Sequence, residues 1–140
     1  MFAPFLVLYD IEEVQPVEYS FNYSFLKNGT PIVTLSSLGL AFNKGAIDML
    51  GAPSEVVVGY DEQQHAIGIH AATEEASELP RYGFSTRVRN DWVRIGAKDF
   101  VRYLNAVTKI DFISKAKQFI PEYDQETNTL VIVVDEAHLK

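Results

Sequence analysis

The sequence predicts an α+β protein built from two βαββ-like repeats that form one shared β-barrel-like core. Three observations carry that expectation. A Tyr-Asp pair occurs twice, as Tyr60-Asp61 and Tyr123-Asp124, and apolar residues follow each tyrosine seven and nine positions on, at Ile67 and Ile69 and at Leu130 and Ile132. A two-stranded hairpin with a polar turn imposes that spacing on both copies. Ahead of each pair lies a stretch with helical periodicity, and the two stretches align without a gap, Lys44 on Lys98 and Leu50 on Leu104. A strand-like segment precedes each helix in turn. Order and spacing repeated in this way are the mark of a duplicated unit.

The predicted units are an N-terminal segment over residues 1–16, a first repeat over 17–71, an acidic linker over 72–80 and a second repeat over 81–136. In the first repeat, residues 18–25 alternate polar and aromatic side chains, so Tyr19, Phe21, Tyr23 and Phe25 share one strand face. A buried sheet face is the expected use of that stripe; its functional alternative is a surface that stacks the bases of a single strand, with Trp92 as a further platform. Asn28-Gly29 is a tight-turn signal leading into Pro31-Ile32-Val33-Thr34-Leu35. Leu38-Gly39-Leu40-Ala41-Phe42 reads as the next strand and runs into Asn43, a fitting helix N-cap. Ala46, Ile47 and Leu50 mark the buried helix face, and Gly51 with Pro53 ends the helix. Residues 56–58 and 66–69 then make a hairpin around a polar turn.

The second repeat follows the same order, with strands over 82–88 and 92–95, a helix over 97–105 that turns Phe100, Val101 and Leu104 inward, and a hairpin over 123–134. Before the helices, Phe42 falls on Gly96 without a gap and on Ile95 with a shift of one residue, so the strand register stays open. Between leucine and tyrosine the second copy is nine positions longer, and the extra residues bring in Lys109, Lys115 and Lys117.

A chain of 140 residues can bury roughly two-thirds of its unfolded surface, and 47% hydrophobic with 22% charged residues is a globular composition. With no cysteine, disulfides, thiolate nucleophiles and cysteine-ligated zinc are excluded. The apolar run over residues 2–9 has no basic flank and is too short to span a bilayer, which predicts a soluble, cytoplasmic protein without membrane association. Charge is segregated. From Arg81 to Lys117 nine basic residues face three acidic ones, a net of +6, and the total of −7 leaves −13 for the remainder. Such a chain can turn a basic face to a polyanion; alternatively its two halves attract each other across the fold.

Catalytic patterns are missing. No serine sits in a nucleophile elbow, no glycine-rich phosphate loop appears, and His65 and His70, five apart on a hairpin strand, are poorly spaced for a metal. The expectation is a non-enzymatic protein with no cofactor and no metal. Tyr60 and Tyr123 are expected to pack at strand ends while Asp61 and Asp124 open the turns.

The run Leu35-Ser36-Ser37-Leu38-Gly39-Leu40-Ala41-Phe42-Asn43-Lys44-Gly45-Ala46-Ile47-Asp48-Met49-Leu50-Gly51, followed by Glu55-Val56-Val57-Val58, resembles the AbrB/MazE family of swapped-hairpin DNA-binding modules. The likeness lies in a Leu-Gly before a short strand, a lysine opening the helix, a Leu-Gly closing it and a hairpin after it. Two copies in one chain resemble the tandem arrangement of MraZ, a member of that superfamily, without its Asp-x-x-x-Arg signature. The resemblance implies a barrel of interleaved halves, a role in transcription regulation and DNA bound through basic side chains on one sheet surface. The family pattern has a proline before the helix and arginines on the first strands, whereas here Asn43 and Lys44 stand in the first copy and only the second copy is basic. Arg87, Arg89, Arg94, Lys98 and Arg102 are therefore the candidate nucleic-acid-binding residues, acting on phosphates of duplex DNA. The competing expectation is a protein-interaction or scaffolding module whose basic segment docks on an acidic partner or on a second copy of this chain as a homodimer.

Overall fold

The computed structural model describes residues 16–21, 29–73 and 78–140. Among these residues it is an α+β structure with two antiparallel sheets and two α-helices. In chain order the elements are β1 (Val33–Ser36), β2 (Gly39–Asn43), α1 (Lys44–Met49), β3 (Glu55–Asp61), β4 (Ala66–Ala71), β5 (Tyr82–Gly83), a 3₁₀ turn (Ser85–Arg87), β6 (Trp92–Gly96), α2 (Lys98–Thr108), β7 (Lys117–Phe119), β8 (Glu122–Asp124), β9 (Thr129–Val133) and a second 3₁₀ turn (Glu136–His138).

Each sheet mixes the two halves of the chain. The four-stranded sheet runs β6-β2-β1-β7 and the five-stranded sheet β5-β3-β4-β9-β8. In the first, Leu35, Leu40 and Ile95 lie opposite one another on three neighbouring strands, as do Val33, Phe42 and Val93. In the second, Ile67 faces Ile132 and Ile69 faces Leu130. Directly opposed residues share a sheet face, so these rows are buried together. They join Ala46, Ile47 and Leu50 of α1 and Val101 and Leu104 of α2 in a single hydrophobic cluster. No polar or charged residue is buried among the described residues.

The barrel expected from the sequence does not close. Closure needs strands long enough to carry the ladder from one sheet to the other, but β5 has two residues and β7 and β8 three each. The edge of β7 is instead covered by the chain end, where Leu139 bridges Phe119 and the Lys140 N–H donates to the Gln118 carbonyl at 2.8 Å.

Several local expectations hold. Asn43 caps α1, its Oδ1 accepting from the Ala46 N–H at 2.9 Å, and Gly51 at φ +85° follows the helix end. Asn43 also ties α1 to the preceding chain, accepting from the Ile32 N–H and donating to the Thr30 carbonyl. Both hairpins form in one register, Tyr60 opposite Ile67 and Tyr123 opposite Leu130. The turns match as well. Asp61 accepts from the Gln63 and Gln64 N–H groups, Asp124 accepts from the Glu126 N–H, and each turn ends in a left-handed residue, His65 or Asn128, both at φ +52°. Each tyrosine hydroxyl bonds that residue, Tyr60 to His65 Nδ1 at 2.9 Å and Tyr123 to Asn128 Oδ1 at 3.1 Å.

Before the helices, the burial pattern is the one that a one-residue shift would give. Phe42 and Ile95 are buried and Gly96 is exposed, with Ala97 inserted between β6 and α2.

Other expectations need correction. The strand anticipated over residues 82–88 shrinks to Tyr82–Gly83, because buried Phe84 drops into the core edge-on to Phe42 and the chain turns into the 3₁₀ segment. The nine-position insertion is more than a basic loop: it extends α2 to Thr108, buries Ile110 and Phe112, and supplies β7, which pairs with β1. Of the aromatic stripe, Tyr19 and Phe21 are exposed, outside any strand and stacked on each other, so they do not line a buried sheet face. Tyr23, Phe25 and Asn28 lie outside the described residues, as does the apolar run near the N-terminus.

Candidate nucleic-acid interface

The basic segment is brought to the surface by one small hairpin. Arg89 and Trp92 exchange both backbone hydrogen bonds, at 2.8 and 2.9 Å, across a two-residue turn in which Asn90 and Asp91 stand at φ +51° and +66°. Two consecutive positive φ angles are what a type I′ turn requires, and Asn and Asp tolerate them better than most residues. An Asn-Asp pair between alternating residues is thus the signal for this hairpin, lying between the strands expected over 82–88 and 92–95. Opposed residues in such a pair lie on one face, and so do residues two apart on a strand. The Arg89, Trp92 and Arg94 side chains therefore emerge on the same side of β6, while Val93 and Ile95 point into the core.

Arg87 reaches the same place from the 3₁₀ turn. Its stem passes so close over Gly83 that a Cβ there would come within 2.6 Å of Arg87 Cδ. The turn itself is anchored by Phe84, whose N–H donates to the Ser54 carbonyl and whose carbonyl accepts from the Arg87 N–H. A cleft of about 520 Å³ results, lined by Arg87, Arg89 and Arg94 together with Val88, Trp92 and Ala41. On its far side Ala41 of β2 stands opposite Arg94, followed across the sheet by Thr34 and Gln118. That row is small and polar, and it offers the arginines no carboxylate.

Of the nine basic residues between Arg81 and Lys117, only Arg81 forms an ion pair among the described residues, with Glu55 of β3 at 3.7 Å. Attraction between the halves therefore accounts for Arg81 and not for the cleft. Arg87, Arg89 and Arg94 are exposed and unpaired by any carboxylate among the described residues. The other two candidates fall elsewhere. Lys98 borders a separate, shallow depression with Leu38, Tyr82 and Phe100, and Arg102 is exposed on α2, outside the arginine cleft. Gly83, Thr86 and Val88 complete the site and were not singled out in the sequence.

No family model, curated protein or solved structure matches this chain.

Other chemistry-bearing side chains make contacts within the fold. Around Tyr60, Phe100 stands edge-on at 5.4 Å and Tyr103 edge-on at 5.8 Å, and burial, with smaller contributions from Tyr103, Glu62 and Asp61, raises the Tyr60 hydroxyl above the usual phenol range. His70 Nδ1 lies 2.8 Å from the Ala71 carbonyl, to which it donates. His138 donates from Nδ1 to Asp135 at 2.6 Å and approaches Glu122 at 3.6 Å. No group of three or more metal-ligating residues converges among the described residues, and no helix there is long and apolar enough to cross a membrane.

Proposed function

We propose that this chain is a non-enzymatic, cytoplasmic regulatory module that binds nucleic acid, DNA foremost, through the phosphates that meet Arg87, Arg89 and Arg94. The observation that carries the reading is the convergence of three exposed guanidiniums in one cleft with no carboxylate paired to any of them among the described residues. Guanidinium groups present forked donors suited to phosphate oxygens, and a cluster of them without internal partners keeps its full charge for a ligand. The acidic remainder of the chain limits indiscriminate binding, so affinity is expected to be modest and steeply dependent on salt. Lys98 and Arg102 add charge at the periphery.

The proposal extends to descent. Equivalent strands of the two halves pair antiparallel in both sheets, β2 with β6 and β4 with β9, as a pseudo-two-fold arrangement of duplicated halves would place them. The common hairpin register and turn chemistry support the same origin, and the strand-helix-hairpin order supports a distant AbrB/MazE-like relationship; a homodimer is tested by size in solution.

Exposed Val88 and Trp92 within the cleft favour one second reading, docking of an acidic protein segment that carries apolar side chains. Filter or anisotropy binding at low salt separates the two. Retention of DNA that is lost when Arg87, Arg89 and Arg94 are all changed to Ala supports the nucleic-acid reading; no retention at low salt overturns it.

A further inference from the structure

Trp92 is the only tryptophan of the chain and it lines the arginine cleft. It is 39% exposed, its ring makes no stacking contact with another ring among the described residues, and its indole N–H has no hydrogen-bond partner there. More than a third of its large apolar surface is thus left open to solvent. It is also held rigidly. Its backbone is paired to Arg89 on one side and to Asn43 on the other, and the neighbouring Val93 is buried in the core.

Resting on the nucleic-acid reading above, we infer that the cleft takes one unpaired nucleotide of a single strand, its base stacked on Trp92 and its flanking phosphates held by Arg87, Arg89 and Arg94. Three features of the site point to an unpaired base and away from a duplex. A flat aromatic face flanked by guanidiniums matches a base with phosphates beside it, the combination used by proteins that bind single strands. In a duplex the base faces are covered by their neighbours, so Trp92 would have nothing to stack on. The cleft, about 520 Å³, lies in the roughly 300–1,000 Å³ range of sites that enclose a small-molecule-sized group, and its walls, Val88 and Ala41 beside the arginines, set apolar surface next to cationic surface, complementary to the base and the anionic phosphate of a nucleotide.

The test uses the intact chain and the natural reporter. A thymidine oligonucleotide of about 10 residues, within the footprint of single-strand binders, is titrated at low salt while label anisotropy reads affinity and Trp92 fluorescence reads stacking. A duplex of the same length, thymidine monophosphate and a polyglutamate peptide are run in parallel. The single strand is expected to bind and to quench Trp92, the duplex to bind more weakly without quenching, and the mononucleotide to quench only at far higher concentration. Trp92→Leu should weaken the single strand roughly 5- to 150-fold and the duplex by a much smaller factor, and Trp92→Phe should restore part of the loss. Single-strand binding without quenching, or binding indifferent to Trp92→Leu, overturns the inference and leaves the phosphate reading standing. Equal binding by the mononucleotide overturns the single strand as the source, and equal quenching by polyglutamate replaces it with an acidic protein. If no nucleic acid binds at low salt, both readings fall together.

Discussion

Single atoms decide how Arg87 is aimed. Because Gly83 leaves room for the Arg87 stem and a Cβ would press on its Cδ, Gly83→Ala should displace the guanidinium without disturbing the core. Its expected signature is a stability change within about 1 kcal/mol, since a flexible side chain can yield, together with a several-fold loss of oligonucleotide affinity. Urea unfolding and anisotropy on the same variant check both halves of that expectation. At the chain end, His138 is a second point of control. Its hydrogen bond to Asp135, and secondarily the charge of Glu122, raise its pKa, and the same bond lowers that of Asp135. A histidine whose folded pKa is raised contributes stability that is fully present below its unfolded pKa, about 6.5, and is lost as pH rises through the folded value. The carboxylate contributes in the opposite sense, losing its share only as pH falls through its own lowered pKa. The urea midpoint should therefore decline between mildly acidic and mildly alkaline pH, and His138→Gln should flatten that decline.

The elements owe their arrangement to a few backbone requirements. Gly39 opens β2 at φ +140°, where a Cβ would overlap the Ile95 carbonyl oxygen and crowd the Ala97 nitrogen. The Leu-Gly before the strand is thus explained: only glycine lets β2 lie against β6, one of the contacts that bind the first half to the second. Gly39→Ala combines backbone strain with overpacking and should cost about 2–5 kcal/mol in chemical unfolding. The hairpins allow a test of equivalence. His65 and Asn128 occupy the same left-handed position and bond corresponding tyrosines, so His65→Asn should be neutral within about 0.5 kcal/mol. His65→Val, with a branched side chain at positive φ, should cost about 1–2 kcal/mol by the same measurement. These hairpins were legible in the sequence because tyrosine, aspartate and the apolar pair act within a dozen residues. β7 was not, since three residues with one buried phenylalanine carry no period and become a strand only because β1 offers an edge.

For the whole molecule, legibility falls with distance along the chain. The α+β class and the shared core follow from local periodicity; the first helix starts at Lys44, directly after its expected cap Asn43, and the second at Lys98, one residue inside the expected 97–105. Closure into a barrel depends on how far edge strands extend and on what covers them, and nothing local records that Leu139 and Lys140 return to the β7 edge. The site divides in the same way. Arg87, Arg89 and Arg94 come together because Phe84 is buried and Asn90-Asp91 turns, whereas Lys98 and Arg102, close in sequence, are carried off by α2. A basic segment in sequence is therefore a smaller basic cleft in space, and its charge count sets the expected response to salt. Oligonucleotide affinity measured across a salt series is the most direct test. Three phosphate contacts predict a slope of roughly −2 to −3 in log affinity against log salt, lost with Arg87, Arg89 and Arg94 all changed to Ala; a flat slope, or full binding by that triple variant, would contradict the account.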